Sequence, residues 1–334
     1  MGKSLRLSIL LLATITLLTG FACNRGGSKS DGYTIAVIPK GTTHEFWKSI
    51  HAGAVKAERE LNAQGVKVSI IWKGPLREDD REQQIQVVEG FVSQGVSGIV
   101  LAPLDDRALV RPVEDAKGAN IPTVIIDSAL QSPNIASFVA TDNVKGGSLG
   151  ADRIATLLGG KGKVLLLRYQ EGSASTEDRE KGFLERLKSA YPGVEVVSSD
   201  QHAGATRDTA YRASQNLLNR FANEIDAIFT VNETATAGML LALQDINKAG
   251  KIKLIGFDPT SAFIDAMRNK QLDGLVIQDP LKMGYLGVKT MVEQLQGKPV
   301  EKRIDTGVYM ITPDNLNDPD LQALIHPPFD EYLK

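Results

Sequence analysis

An α/β fold, with parallel sheets covered on both faces and divided into two lobes, follows from three observations. From Tyr33 onward, short runs rich in β-branched residues alternate with segments whose apolar residues recur at helical spacing. The chain has 334 residues, 42% of them hydrophobic, which exceeds one small doubly wound domain and can bury two cores. The strand-like runs end in polar residues along the whole sequence, as expected where open parallel sheets offer a ligand site at their carboxyl ends.

The runs are, in order, YTIAVI (33–38), VKVSIIW (66–72), GIVLA (98–102), TVIID (123–127), SFVATD (137–142), KVLLL (163–167), VEVVSS (194–199), AIFTV (227–231), KLIGFD (253–258) and GLVIQD (274–279). Most are nearly continuous in apolar residues, the mark of strands buried on both faces. Between them, Ile50, Ala54, Ala57 and Leu61 share one helix face, as do Ile85, Val88 and Val92, and Leu217, Leu218 and Phe221. Repetition of strand, helix, strand gives parallel sheets joined by crossover helices. At the run ends stand Asp105, Asp127, Asp142, Asn232, Asp258, Gln278 and Asp279. Any one of them alone reads as a helix cap or turn former. As a set they point to a shared polar cleft.

The N-terminus differs. Lys3 and Arg6 precede an apolar run from Leu7 to Leu18 that ends in Thr19-Gly-Phe-Ala-Cys23, the pattern of a secretory signal peptide over 1–22. Cys23 is the only cysteine, so no internal disulfide forms. Its position after Ala22 resembles the acylated cysteine of a bacterial lipoprotein, although Gly20 stands where that motif has Leu. Residues 23–32 read as a polar tether, placing the protein in the periplasm or cell envelope, anchored to the membrane through Cys23. The 38 basic and 40 acidic residues are interspersed and leave a net charge of -2. That balance argues against nucleic acid and for a small or neutral partner.

Reactive chemistry finds no support. His44-Glu45 opens like a metalloprotease helix, but Lys48 occupies the position four residues on and His51 lies seven away, so two histidines cannot meet one metal. Thr42-Thr-His-Glu45 reads instead as a capping box starting a helix through Ala57. No Gly-x-Ser-x-Gly elbow occurs. The glycine clusters KGGSLG (145–150) and GGKG (159–162) lack phosphate-loop spacing and read as close helix packing and a helix stop. No catalytic residue, metal or cofactor is expected.

Taken in order, IAVIPKGTTHEFWKSIHAGA (35–54), QGVSGIVLAPLDD (94–106), NIPTVIID (120–127), VATDNVKGG (139–147), EDREKGF (177–183), VNETATAGMLLAL (231–243), IGFD (255–258) and VIQDPLKMGYLG (276–287) resemble the ribose-binding protein family, the periplasmic sugar-binding components of ABC importers. The resemblance runs from about Tyr33 to about Tyr309. It implies a type 1 periplasmic binding fold, two Rossmann-like lobes joined by a three-crossover hinge, with crossings near Asp142, Gln278 and Gly307. The N-terminal lobe would then comprise 33–141 with 279–307, and the C-terminal lobe 142–278 with 308–334.

Position by position, the resemblance implies ligand contacts from His44, where the family often has Asn, and from the aromatic pair Phe46 and Trp47. It adds Asp127, Ser128, Arg179, Asn232, Asp258 and Gln278. Their chemistry suits a sugar, because carboxylates and amides match hydroxyls, a guanidinium bridges neighbouring oxygens, and aromatic rings match C–H faces. Three departures bear on specificity. Ser128 replaces an arginine of ribose binders, His44 replaces Asn, and QHAGATR (201–207) lacks the aromatic that closes the second sugar face. Tyr169 either supplies that face or packs. The implied partners are a monosaccharide, pentose or hexose, and ABC permease subunits, with the protein a monomer. The alternatives are a ligand-sensing subunit for a chemoreceptor or sensor kinase, or a binder of a furanosyl signalling molecule. Arg179→Ala and Asp258→Ala are expected to abolish binding while leaving the melting temperature of the unliganded protein within a few degrees.

Overall fold

The computed structural model describes residues 32–333; the signal peptide, Cys23 and almost all of the tether lie outside the described residues. The first sheet contains β1 (Tyr33–Ile38), β2 (Val68–Trp72), β3 (Gly98–Leu101), β4 (Thr123–Ile126), β5 (Ser137–Ala140) and β11 (Arg303–Asp305), in the order β11-β5-β4-β3-β1-β2. The second contains β6 (Gly162–Leu167), β7 (Val194–Ser198), β8 (Ala227–Thr230), β9 (Lys253–Phe257), β10 (Gly274–Gln278) and β12 (Val308–Ile311), in the order β12-β10-β9-β8-β6-β7. All pairings are parallel except that of β12 with β10. In each sheet the strand order reverses, at β1/β3 and at β6/β8, and such switch points open a crevice beyond the strand ends. The α/β class is therefore as expected, and the ten strand-like runs each supply a strand.

The chain passes between the sheets after β5, after β10, and between β11 and β12. The last two strands were not visible in the sequence. They are short, β11 is mostly exposed, and Lys-Arg-Ile-Asp-Thr-Gly (302–307) carries no apolar run.

Helices cover both faces of each sheet. α1 (Glu45–Ala63) and α9 (Pro280–Leu295) pack on one face of the first sheet through Ile50, Ala54, Ala57, Leu61 and Met291. α2 (Arg81–Gln94) and α3 (Val110–Gly118) cover the other through Val88, Phe91 and Val113. The second sheet is covered by α4 (Asn143–Leu157) and α5 (Ala174–Ala190) on one side. On the other lie α6 (Arg207–Phe221), α7 (Glu233–Asp245) and α8 (Ser261–Arg268).

Two helix pairs approach so closely that only glycine fits. A Cβ at Gly53 would lie 1.9 Å from the Leu281 carbonyl oxygen and one at Gly284 2.0 Å from that of Ile50, which joins α1 to α9. Between α4 and α5, a Cβ at Gly147 would lie 1.9 Å from the Arg179 oxygen and one at Gly182 2.0 Å from that of Val144. The reading of KGGSLG as close packing thus acquires a physical reason. Gly159 and Gly160, at φ 63° and 78°, end α4 in the left-handed region, as a helix stop requires. We expect Gly147→Ala to force α4 and α5 apart and lower stability by about 3 kcal/mol, seen in chemical denaturation. An unchanged midpoint would show that the pair can yield without cost.

Two expectations are corrected. α1 begins at Glu45 with His44 as its N-cap and no side-chain cap bond, so the capping box does not form; the His44 ring turns to Glu78 instead. The C-terminus also does not stay with the second lobe. α10 (Pro319–Ile325) buries Leu321 and Ile325 in that lobe's core, but Pro327 and Pro328 break the chain's course. α11 (Phe329–Tyr332) then lies on α1, where Arg59 donates to the carbonyls of Glu331 at 2.7 Å and Tyr332 at 3.1 Å.

Candidate functional site

The polar strand ends serve different roles, and Asn232 serves two, as a helix cap and on the cavity wall. Asp142, Asn232 and Asp279 cap α4, α7 and α9, their side chains accepting from the backbone N–H of Lys145, Ala235 and Lys282. Asp105 closes a turn through the N–H groups of Arg107 and Ala108 and pairs with Arg81. Asp127 and Asp258, which follow β4 and β9, do something else. Both have left-handed backbones, with φ of 62° and 64°. Non-glycine residues in that region cost strain that persists mainly where a site requires a side chain to point one way.

Both carboxylates line a single cavity between the lobes. His44, Phe46, Trp47, Arg179, Asn232 and Gln278 line it too. Eight of the nine residues singled out from the sequence are therefore brought together. Ser128 is not on the wall. It is fully buried, its hydroxyl accepting from Lys40 Nζ at 2.9 Å and from the Ser175 N–H at 3.0 Å. Its place directly after Asp127 turns its side chain away from the cleft, and the ligand contact expected of it is withdrawn.

On the first lobe, Trp47 is 3% exposed, its ring edge against Phe46 with centroids 5.0 Å apart. The pair forms an apolar wall. Its orientation is fixed by Glu78, a residue the sequence did not single out, which accepts from Trp47 Nε1 at 2.5 Å and from Tyr169 and lies 3.2 Å from His44 Nδ1. Burial alone would push the Glu78 carboxyl up. Hydrogen bonds and charge from His44, the Tyr169 hydroxyl and the Lys40 charge outweigh it and hold the group at about 2. His44 is the mirror case, where burial opposes the charge but Glu78 outweighs it and raises its pKa above the ordinary value.

Lys40 Nζ meets Asp127 at 2.9 Å and also donates to Ser175 at 3.2 Å. With Ser128 these partners use all three of its donors, so Lys40 positions Asp127 and joins the lobes. Gln84, fully buried, donates to the carbonyls of Pro39 and Ala102 and accepts from the Leu104 N–H, tying the ends of β1 and β3 together beneath the site.

On the second lobe, Arg179 is 3% exposed. Its Nε donates to Asn143 at 2.8 Å, its Nη1 to the Val231 carbonyl at 2.9 Å, and its guanidinium lies 3.8 Å from the Phe257 ring centroid. Nη2 is left for the cavity. Burial lowers the Arg179 pKa against the opposing charges of Asp258 and Asp127. Asp258 accepts from Gln278 at 2.8 Å. Burial drives its carboxyl up to about 7, more than Arg179 and Gln278 restore. Tyr169, 1% exposed, both packs and borders the cavity.

Three residues that line the cavity each carry a buried polar atom with no protein partner among the described residues: Ser173 Oγ, Glu233 Oε2 and Gln278 Oε1. Leaving such atoms unpaired costs about 1–3 kcal/mol each, a cost removed when a ligand supplies the missing bond. The second histidine of the opening motif lies elsewhere. His51 stacks on Trp72 at 4.4 Å, and burial lowers its pKa.

Comparison with known proteins identifies the family. Residues 35–299 match the periplasmic binding protein domain. The ribose import binding protein of Bacillus subtilis is 30% identical over 316 residues, covering 91% of this chain and 98% of its own length. The D-allose-binding periplasmic protein of Escherichia coli is 32% identical over 278 residues, covering 80% and 87%. Among solved structures, a carbohydrate transporter solute-binding protein from Agrobacterium radiobacter in complex with D-arabinose is 34% identical with a TM-score of 0.83, covering 89% of this chain and all of that one. An ABC transporter solute-binding protein from Agrobacterium vitis with bound D-fucose is 32% identical with a TM-score of 0.82, covering 88% and 100%. The domain match over most of the chain and these relatives agree: the chain belongs to the ribose-binding-like family of periplasmic binding proteins.

Proposed function

We propose that this protein is the substrate-binding component of an ABC importer, closing on one neutral monosaccharide and presenting it to a permease without chemical turnover. The observation that carries this is the composition of the cavity. An aromatic wall from Phe46 and Trp47 and the acceptor Asp127 on one lobe face Arg179, Asn232, Asp258 and Gln278 on the other. A sugar, with C–H faces and a rim of hydroxyls, matches both. Lys40, His44 and Arg179 are set against Glu78, Asp127, Glu233 and Asp258, so no excess of one sign invites a phosphate or a uronate. The ligands named for the relatives, ribose, D-allose, D-arabinose and D-fucose, are likewise neutral monosaccharides.

In this reading the ligand stabilises the closed form because it touches both lobes. The protein acts as a monomer, held at the cell envelope by acylated Cys23 and its tether. The test is thermal melting with D-ribose, D-allose, D-arabinose and D-fucose. A sugar at one hundred times its Kd should add about 2.7 kcal/mol, a rise of roughly 4 °C for a chain this long. No shift with any neutral sugar, together with a shift from an anionic or non-sugar compound, would overturn the reading.

A further inference from the structure

We propose that Glu233 contacts the sugar and sets which hydroxyl pattern the protein accepts, an inference that rests on the monosaccharide reading of the cleft. Glu233 opens α7 directly after Asn232 and is 3% exposed. Its two oxygens are unequal. Oε1 accepts from Arg207 Nη2 at 2.8 Å, whereas Oε2 is buried and without a partner among the described residues, in a residue that lines the cavity. A carboxylate oxygen withdrawn from water and given no donor is among the costliest arrangements in a folded protein. A ligand hydroxyl is the donor that would remove the cost.

The surroundings say which part of the cleft this is. The charges of Glu233 and Arg207 both act on His44, which faces them from the other lobe. Arg207 ends the QHAGATR segment, at the mouth of the cleft beside Thr43, His44 and Arg77. Its side chain is 65% exposed, so it orients the carboxylate from the rim. That segment has no Phe, Tyr or Trp, and the ring this lobe brings to the cavity is Tyr169, which follows β6. A ring face needs a patch of C–H groups over its area, whereas an oriented acceptor demands a hydroxyl on one side. Glu233 therefore reads the configuration of one hydroxyl-bearing carbon at this end of the cleft.

The deciding experiment is calorimetric titration of wild type and Glu233→Gln with D-ribose, D-allose, D-arabinose and D-fucose, then with the monodeoxy analogues of the sugar bound most tightly. Glu233→Gln should weaken that sugar by about 10- to 100-fold. For one analogue the difference between wild type and variant should shrink below about threefold, because both changes remove the same contact. Equal affinity for the parent sugar, or an equal loss across all analogues, would overturn the assignment and make Glu233 structural. If wild type binds none of the sugars, the monosaccharide reading falls and this inference falls with it. Should Glu233→Gln melt early, Glu233→Asp keeps the charge, withdraws it by one methylene, and is read by the same coupling to a single hydroxyl.

Discussion

Asp258→Asn is expected to make the unliganded protein more stable at pH 8 while weakening sugar binding by about 10- to 100-fold. The two effects have one cause. The folded protein holds the Asp258 carboxyl at about 7, against an ordinary 3.8, because burial outweighs its partners. An acid whose folded pKa is raised binds more protons folded than unfolded, so stability falls as pH rises. The loss begins near pH 4, is complete above about pH 7, and amounts to at most about 4 kcal/mol. Asparagine cannot ionise, tolerates the φ of 64° and still offers an oxygen to Gln278. The variant should therefore melt higher than wild type at pH 8 and about equally at pH 4. Binding shows the opposite dependence. If sugar hydroxyls donate to this carboxylate, as proposed, wild-type affinity should decline below pH 7 and the variant's should not. Melting curves that coincide at both pH values would show that Asp258 carries no such cost.

Arg179→Ala should remove detectable sugar binding and also lower the melting temperature of the free protein. From the sequence, only the first effect was expected. The structure adds the second, because Nε and Nη1 are engaged by Asn143 and Val231 and the guanidinium covers Phe257. Truncation leaves two buried acceptors unpaired and a void between α5 and β8, a loss of about 3 kcal/mol or more. That corresponds to a fall of roughly 5 °C or more. Loss of binding would be read by calorimetry and the fall by differential scanning of the unliganded protein. Retained affinity would remove Arg179 from the ligand site, and an unmoved melting temperature would show its protein contacts to be energetically empty.

The same division between ligand and scaffold explains what could be read from the chain. Asp127 and Asp258 were legible because they stand directly after apolar strand runs, a position that topology alone carries to the mouth of a sheet. Ser128 was misjudged by one position. At a strand end the direction of each side chain depends on backbone angles, and the left-handed turn at Asp127 sends the next side chain into the protein. Glu78 and Glu233 were missed for another reason. Glu78 sits in Arg77-Glu-Asp-Asp80 and Glu233 in a helix's first turn, where acidic residues ordinarily serve solvent or the helix dipole. Lys40 lay within a quoted motif, but nothing in the motif says that its charge would be used on Asp127 and across to Ser175.

By itself the sequence determined the α/β class, the strand runs from Tyr33 to Gln278, the absence of a zinc motif at His44, and the set of polar strand ends, because periodicity and local spacing are written along the chain. Only the tertiary structure decided which of those ends cap helices and which face the cleft, that Glu78 fixes Trp47 and Tyr169 from opposite lobes, and that α11 returns to α1. Burial, charge pairing and the direction of a side chain arise between residues far apart in sequence, and they exist only once both sheets are in place.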